Sequence, residues 1–170
     1  MRALAGMTLY ALLGVPAVWA DIPVTITATI IEPACSVTDA SGNSQMEVDF
    51  KEVLLDSIGT GGKIGTATTP VMMKVTCDGN APSGKTLKMY INPTGGTMSY
   101  AGRTVLGTSV TGLGIDLLDE QTSSLPLSTW TPVVLNGGFA IASATLVSEN
   151  VADMKGGFFT STASVVMAYL

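Results

Sequence analysis

The sequence predicts an all-β protein built as a sandwich of antiparallel strands. Apolar and polar residues alternate with a period of two in many segments, which is the pattern of half-buried strands. Clusters rich in glycine, proline, asparagine and serine separate these segments. The segments recur roughly every ten to twenty residues with no long helical period between them, which is typical of a sandwich.

Residues 1–20 predict a secretory signal peptide. Arg2 supplies a basic start, an apolar run follows, and the small residue Ala20 ends a plausible cleavage site. The alternative is a membrane anchor, but the run is shorter than the ~20 residues of a spanning helix, and no basic flank follows it. We expect cleavage after Ala20, which makes Asp21 the N-terminus of a 150-residue mature chain.

The first predicted strand lies at the start of the mature chain, at residues 21–30. Its apolar phase comprises Ile22, Val24, Ile26, Ala28 and Ile30. Pro33 cannot donate to a β-ladder and therefore separates residues 21–33 from the rest of the chain. On alternation alone, the strand could belong to its own sandwich or to a neighbour's.

Four internal segments also alternate and are predicted as strands. Their apolar phases are Met46, Val48 and Phe50; Val71, Met73, Val75 and Cys77; Leu87, Met89 and Ile91; and Leu113, Ile115 and Leu117. Turns are expected at 39–44, 78–84, 92–96 and 136–138. Residues 54–63 predict a short helix or an irregular loop, and residues 147–155 predict a loop or a turn of helix.

The chain ends in a further predicted strand. Its apolar phase follows Gly157 and comprises Phe159, Ala163, Val165, Met167 and Tyr169. The last thirteen residues carry no charged side chain to protect an open sheet edge. We therefore expect this strand to be covered by another strand.

Cys35 and Cys77 predict one disulfide bond, because exported proteins usually oxidise such a pair. The closed loop of roughly 42 residues corresponds to about 4 kcal/mol in the chain-entropy model. The alternative is a pair of free or metal-binding thiols, and the sequence has no histidine to complete a metal site.

The composition argues against catalysis and against nucleic-acid binding. Without histidine, neither a Ser-His-Asp nor a Cys-His arrangement can form. The glycine-rich run at 59–65 lacks the spacing of a P-loop. The few lysines and Arg103 are scattered, whereas nucleic-acid binding needs clustered positive charge. We expect no cofactor, no metal and no enzymatic activity.

Two groups of side chains have a less specific interpretation. Asp116, Asp119 and Glu120 lie near a turn and are interpreted as solvated carboxylates rather than as a metal or catalytic site. Tyr90 and Trp130 are interpreted as packing or surface aromatics rather than as a sugar-binding pair.

Four features of the mature chain together resemble one known family. They are the alternating extension 24–33 ahead of Cys35, the pair Cys35 and Cys77, the stretch GLGIDLLDEQTSSLPL at 112–127, and an ending with Gly157 and the penultimate Tyr169. The sequence resembles the pilin subunits of chaperone–usher fimbriae, the surface fibres of Gram-negative bacteria.

The resemblance implies an incomplete immunoglobulin-like sandwich that lacks its final strand. It implies a signal peptide at 1–20, a donor-strand extension at 21–33 and a pilin domain at 34–170. The donor side chains would be Val24, Ile26, Ala28 and Ile30. The edge of the acceptor groove would comprise Gly157, Phe159, Ala163, Val165, Met167 and Tyr169. The Cys35–Cys77 disulfide also belongs to the family pattern.

The family further implies a periplasmic chaperone, an outer-membrane usher and neighbouring fimbrial subunits as partners, and transport through the periplasm to the cell surface. The resulting hypothesis is a structural fimbrial subunit that polymerises by donor-strand exchange. The alternatives are a tip adaptor or an adhesin-type ligand-binding module. The chain departs from the family pattern at Lys51, where a glycine often follows the phenylalanine, and at Ala28, where the donor often has glycine.

Overall fold

The computed structural model describes residues 35–170. The predicted signal peptide, the linker and the donor strand lie outside these residues and stay predictions. The strands are β1 Cys35–Thr38, β2 Thr68–Cys77, β3 Leu87–Pro93, β4 Thr97–Tyr100, β5 Arg103–Gly107, β6 Gly114–Leu118, β7 Thr131–Pro132, β8 Phe139–Val147 and β9 Ala163–Tyr169. A single 3-10 turn, Leu55–Ser57, is the one helical element among the described residues.

The strands form two sheets, and every pair of neighbouring strands is antiparallel. The larger sheet has the order β1-β2-β8-β6-β5-β4, and the smaller has the order β7-β3-β9. Strands β1, β4, β7 and β9 are thus the sheet edges within the described part of the chain. The predicted all-β sandwich is confirmed.

Alternation along the strands places one face of each sheet in a shared core. In β2, Val71, Met73 and Val75 are buried, whereas Met72 and Lys74 between them are exposed. The buried phase of β3, Leu87, Met89 and Ile91, faces the same core from the smaller sheet. The predicted strands at 71–77 and 87–91 are confirmed. They could be predicted because alternation is a local property of the sequence.

Strand β8 is central in the larger sheet, and the sequence reasoning missed it. It lies between β2 and β6, with Val71 opposite Ala142 and Leu117 opposite Ala144. Its inward residues are Ala140, Ala142, Ala144 and Leu146, all buried. The period-two signal is present, but alanine is a weak strand former and hides it. The sequence patterns do not predict β4, β5 or β7 either.

The prediction of a strand at residues 46–50 is wrong in one respect. Met46, Val48 and Phe50 are half-buried and the residues between them are exposed, so the alternation is present. The segment belongs to no ladder, however, because no described strand pairs with it.

Strand β6 departs from the predicted one-sided burial. The alternation predicts Asp116 and Leu118 on the exposed phase, yet they are only 1% and 2% exposed. The larger sheet is covered on its second face as well, where Tyr100, Val105 and Val147 form a small cluster. Asp116 is therefore a buried carboxylate, which corrects the interpretation of a solvated turn residue.

The glycine-rich run at 59–65 is a tight loop whose two ends touch. A Cβ atom at Gly59 would overlap the Lys63 carbonyl oxygen, and one at Gly65 would overlap the Ser57 carbonyl oxygen. The Tyr100 hydroxyl donates to the Lys63 carbonyl at 2.8 Å and fixes the loop to the sheet. These glycines serve close backbone approach.

Two further connecting segments and the disulfide bond agree with the predictions from the sequence. Residues 55–57 form the short helix expected within 54–63, and residues 148–155 form a loop with a turn near Ala152. Cys35 and Cys77 are directly opposite each other in the β1–β2 ladder and form the predicted disulfide bond.

Candidate functional site

The open edge of β9 is the first component of the candidate site. Thr86 and Leu170 exchange both main-chain hydrogen bonds, each at 3.0 Å, directly beyond the β3–β9 ladder. Because hydrogen-bonded and non-hydrogen-bonded pairs alternate in an antiparallel ladder, Ser164, Val166 and Ala168 also direct their main-chain groups toward β3.

The four intervening residues direct their main-chain groups to the other side. They are Ala163, Val165, Met167 and Tyr169. No strand of the described chain pairs with that side of β9. Three of these side chains are covered: Met167 is buried, and Val165 and Tyr169 are half-buried, whereas Val166 on the outer face is 50% exposed and Ala163 at the start of β9 is exposed. Val165, Met167 and Tyr169 thus offer main-chain bonds and an apolar face together.

An apolar groove of about 1350 Å³ lies beside this edge. Inward side chains of the larger sheet line it, namely Val71, Met73, Leu106, Ile115, Leu117 and Ala144. Residues 44–52 and residues 157–165 line it as two walls, which we call the first wall and the second wall. Ala144 of β8 contributes to the depth of the groove, because an alanine side chain occupies little of the space between the sheets.

The first wall has no main-chain partner among residues 35–170. Half-buried and exposed side chains alternate along residues 45–50, which is the pattern of an extended segment, and within the described chain these residues make no hydrogen bond to another main-chain group. Met46, Val48 and Phe50 pack against the core. The first wall therefore has the pattern of an edge strand that lacks a ladder partner among the described residues.

Lys51 ends the extended part of the first wall in a left-handed conformation, with φ of 58°. The Asp49 carboxylate stabilises this turn: Oδ1 accepts from the Lys51 main-chain N–H at 2.8 Å, and Oδ2 accepts from Nζ at 2.6 Å. The hydrogen bond from the Lys51 side chain lowers the pKa of Asp49, and Asp49 in turn raises the pKa of Lys51. A glycine adopts this conformation without steric cost, which explains why the family pattern often has one here.

The second wall is fixed by hydrogen bonds just before β9. Thr160 accepts from the Ser109 N–H at 2.9 Å through its carbonyl and donates its own N–H to Ser109 Oγ at 3.0 Å. Ser161 Oγ donates to the Gly107 carbonyl at 2.6 Å. Of the predicted edge residues, Gly157 and Phe159 lie in this wall ahead of β9, and the other four lie in β9 itself.

The two walls meet at a pair of aromatic rings. The ring centroids of Phe50 and Phe159 are 6.0 Å apart, and the planes are tilted by 52°. A second apolar cavity of about 350 Å³ lies next to this contact, and Phe159 lines both cavities.

The acidic residues considered from the sequence do not form a site. Asp116 Oδ2 accepts a hydrogen bond from Arg103 Nε at 2.9 Å and forms an ion pair with Arg103 Nη2 at 2.8 Å. Its Oδ1 accepts from Ser124 Oγ at 2.5 Å. Asp119 instead accepts main-chain N–H groups of its own turn, and Glu120 is exposed. Among residues 35–170, no group of three or more acidic or cysteine side chains is placed to bind a metal ion.

The aromatic pair considered from the sequence is present on the smaller sheet. The ring centroids of Tyr90 and Trp130 are 5.3 Å apart, the ring planes are tilted by 49°, and Trp130 is 38% exposed.

In the described chain, no helix is long and apolar enough to cross a membrane.

A family comparison accounts for most of the chain. The family model for fimbrial proteins matches residues 24–170. The chain belongs to this family. It is a fimbrial protein.

Solved pilus subunits have the same fold. The chain is similar to the P pilus rod subunit PapA, with a TM-score of 0.58 and 18% identity over 87% of this chain and 100% of that one. It is also similar to the P pilus adaptor subunit PapF, with a TM-score of 0.55 and 22% identity over 84% of this chain and 100% of that one. A search of curated protein sequences finds no match.

The alternating residues of β9 are predicted as the groove edge from the family ending, and residues 46–50 are predicted only as a strand. The groove-edge role stays a prediction. The sequence patterns do not identify Leu106 and Ala144 as groove-lining residues. The alternating alanines of β8 were the available signal.

Proposed function

We propose that this fimbrial subunit is polymerised by donor-strand exchange. Residues 21–33 of one copy insert into the groove of the next copy and pair with the open edge of β9. The observation that carries this proposal is the coincidence in β9 of main-chain groups that have no strand partner among residues 35–170 with an apolar inner face beside the groove. Strand addition to a sheet edge satisfies both at once.

The donor sequence matches this edge in length and in pattern. The alternating stretch 24–30 has seven residues, as β9 has. Val24, Ile26, Ala28 and Ile30 would face the groove, and each valine or isoleucine contributes about 1.5–3 kcal/mol when fully buried. A slip of one residue would turn threonines into the groove, so the register is strongly specified.

The same groove explains the need for other partners. An apolar groove with an open edge aggregates unless another strand covers it. We infer that a periplasmic chaperone covers it before assembly and that an outer-membrane usher exchanges the chaperone for the next subunit. Export would require the signal peptide 1–20, with cleavage after Ala20. The role is structural, and we assign no enzymatic activity to the chain.

The experiment is co-purification from the periplasm followed by addition of a peptide with the sequence of residues 21–32. We expect a chaperone to travel with the subunit and the peptide to displace it. A peptide with Ile26→Asp should fail, because a carboxylate would have to enter the apolar groove. A peptide with Thr27→Asp is the matched control and should displace the chaperone, because alternation places residue 27 on the outer side.

Two results would contradict the proposal. One is a subunit that purifies alone as a stable monomer and does not bind the peptide. The other is equal displacement by the Ile26→Asp peptide and the unmodified peptide.

A further inference from the structure

The contact between Phe50 and Phe159 joins the two walls of the groove. Phe50 lies at the end of the extended part of the first wall, and Phe159 lies in the second wall four residues before β9. Their rings are 6.0 Å apart, which is within the range of favourable aromatic pairs. Both side chains are half-buried against the core.

The contact lies at the junction of two cavities. Phe159 lines both the groove and the 350 Å³ cavity, and so do Gly157 and Lys51. The smaller cavity is apolar on the sandwich side, where Ile58, Leu113 and Leu146 line it. The ring pair therefore lies between the groove and a second apolar space, which is lined by residues ahead of β9.

The two walls differ in how firmly they are held. The second wall is tied to residues 107–109 by three hydrogen bonds, and Thr162 accepts from the Thr94 and Gly95 N–H groups. Residues 45–50 of the first wall have no main-chain ladder in the described chain. Separation of the rings would therefore move Phe50 and its wall rather than Phe159.

We propose that Phe50 and Phe159 form a clasp across this end of the groove, and that the clasp must open before an incoming strand pairs along the full length of β9. The inference rests on the proposed function and adds a determinant of its rate. The closed clasp lowers the fraction of subunits competent to accept a strand, which lowers the apparent association rate by the same factor. The free energy of one aromatic pair corresponds to about a two- to tenfold change in the apparent association rate.

The test is the association rate of a fluorescent peptide of residues 21–32 with the full chain purified in complex with the chaperone, measured by stopped flow with the peptide in excess. Phe50→Leu removes one ring while keeping an apolar side chain, and we expect association to become about two- to tenfold faster. Phe159→Leu should have the same effect. The double variant should be no faster than either single variant, because one substitution already opens the clasp.

Phe139→Leu is the matched control. Phe139 is half-buried at the start of β8, and it lines neither the groove nor the second cavity. We expect it to leave the association rate unchanged. Should Phe159→Leu fail to fold, Phe50→Leu decides the question alone.

The outcomes separate the two proposals. If the wild-type chain binds the peptide and Phe50→Leu associates at the same rate or more slowly, the clasp is wrong and the proposed function stands. If single effects multiply in the double variant, the rings act independently and the clasp is also wrong. If the wild-type chain does not bind the peptide at all, the proposed function fails, and the clasp fails with it.

Discussion

Asp116 shows how a single charged residue is accommodated in the sandwich. Its carboxylate is 1% exposed, accepts one hydrogen bond from Arg103 and one from Ser124, and forms an ion pair with the Arg103 guanidinium. The Arg103 guanidinium also lies 5.0 Å from the centre of the Tyr100 ring. The arrangement joins β5, β6 and the loop after β6, so its contribution is to fold stability rather than to strand binding.

We expect Asp116→Asn to destabilise the chain by roughly 2–4 kcal/mol, because it removes one charge of a mostly buried pair and leaves the guanidinium poorly compensated. The measurement is the urea midpoint of the full chain. Glu120→Gln is the control, because Glu120 is exposed and carries the same kind of carboxylate. An unchanged midpoint for Asp116→Asn would show that the pair contributes little.

At the scale of elements, β9 and the first wall are the two edges of the groove. On the groove side, neither has a strand partner in the described chain. β9 pairs with β3 on one side, and alternate main-chain groups on its other side have no strand partner in the described part of the chain. The first wall likewise has no ladder partner there. One inserted strand could bond to both edges, since central strands pair on two sides.

This geometry predicts an alternating pattern of amide hydrogen exchange in β9. Without the peptide of residues 21–32, the Val166 and Ala168 amides should exchange slowly and the Val165, Met167 and Tyr169 amides quickly. Saturation with the peptide should slow the second group, because those N–H groups gain acceptors. The measurement is residue-resolved exchange by NMR. Equal protection of both groups before and after binding would contradict pairing at this edge.

At the scale of the whole molecule, the sandwich joins a six-stranded sheet to a three-stranded one. The smaller sheet ends at β9 while the larger sheet continues past it, and the groove is the space beside that edge. The depth of the groove reflects this mismatch between the sheets, and no single residue creates it.

We therefore expect the full chain to aggregate or be degraded in the periplasm when it is expressed without a pilus chaperone, because the groove and its edge stay uncovered. The measurement is the soluble fraction after cell fractionation. A chain extended at its C-terminus by a flexible linker and a copy of residues 21–32 is the positive control and should be soluble. A soluble, cooperatively unfolding monomer obtained without a chaperone and without the added strand would contradict the expectation.

Some strands are predictable because their signal is local. Alternation in residues 71–77 and 87–91 identifies strands and the faces they bury. The same signal at 46–50 predicts the half-buried side chains but not the missing ladder, because pairing depends on residues far away in sequence. Alternation misplaces Asp116 for the same reason, since the second covered face of β6 comes from distant segments.

The strand composition of this protein, its cysteine pair and its resemblance to a pilin are all evident in the sequence, because alternation, spacing and composition are read along the chain. The central position of β8, the burial of Asp116, and the groove between β9 and the first wall come from the tertiary structure. These features arise from contacts between segments that the sequence separates, and the register of each strand with its neighbours fixes them.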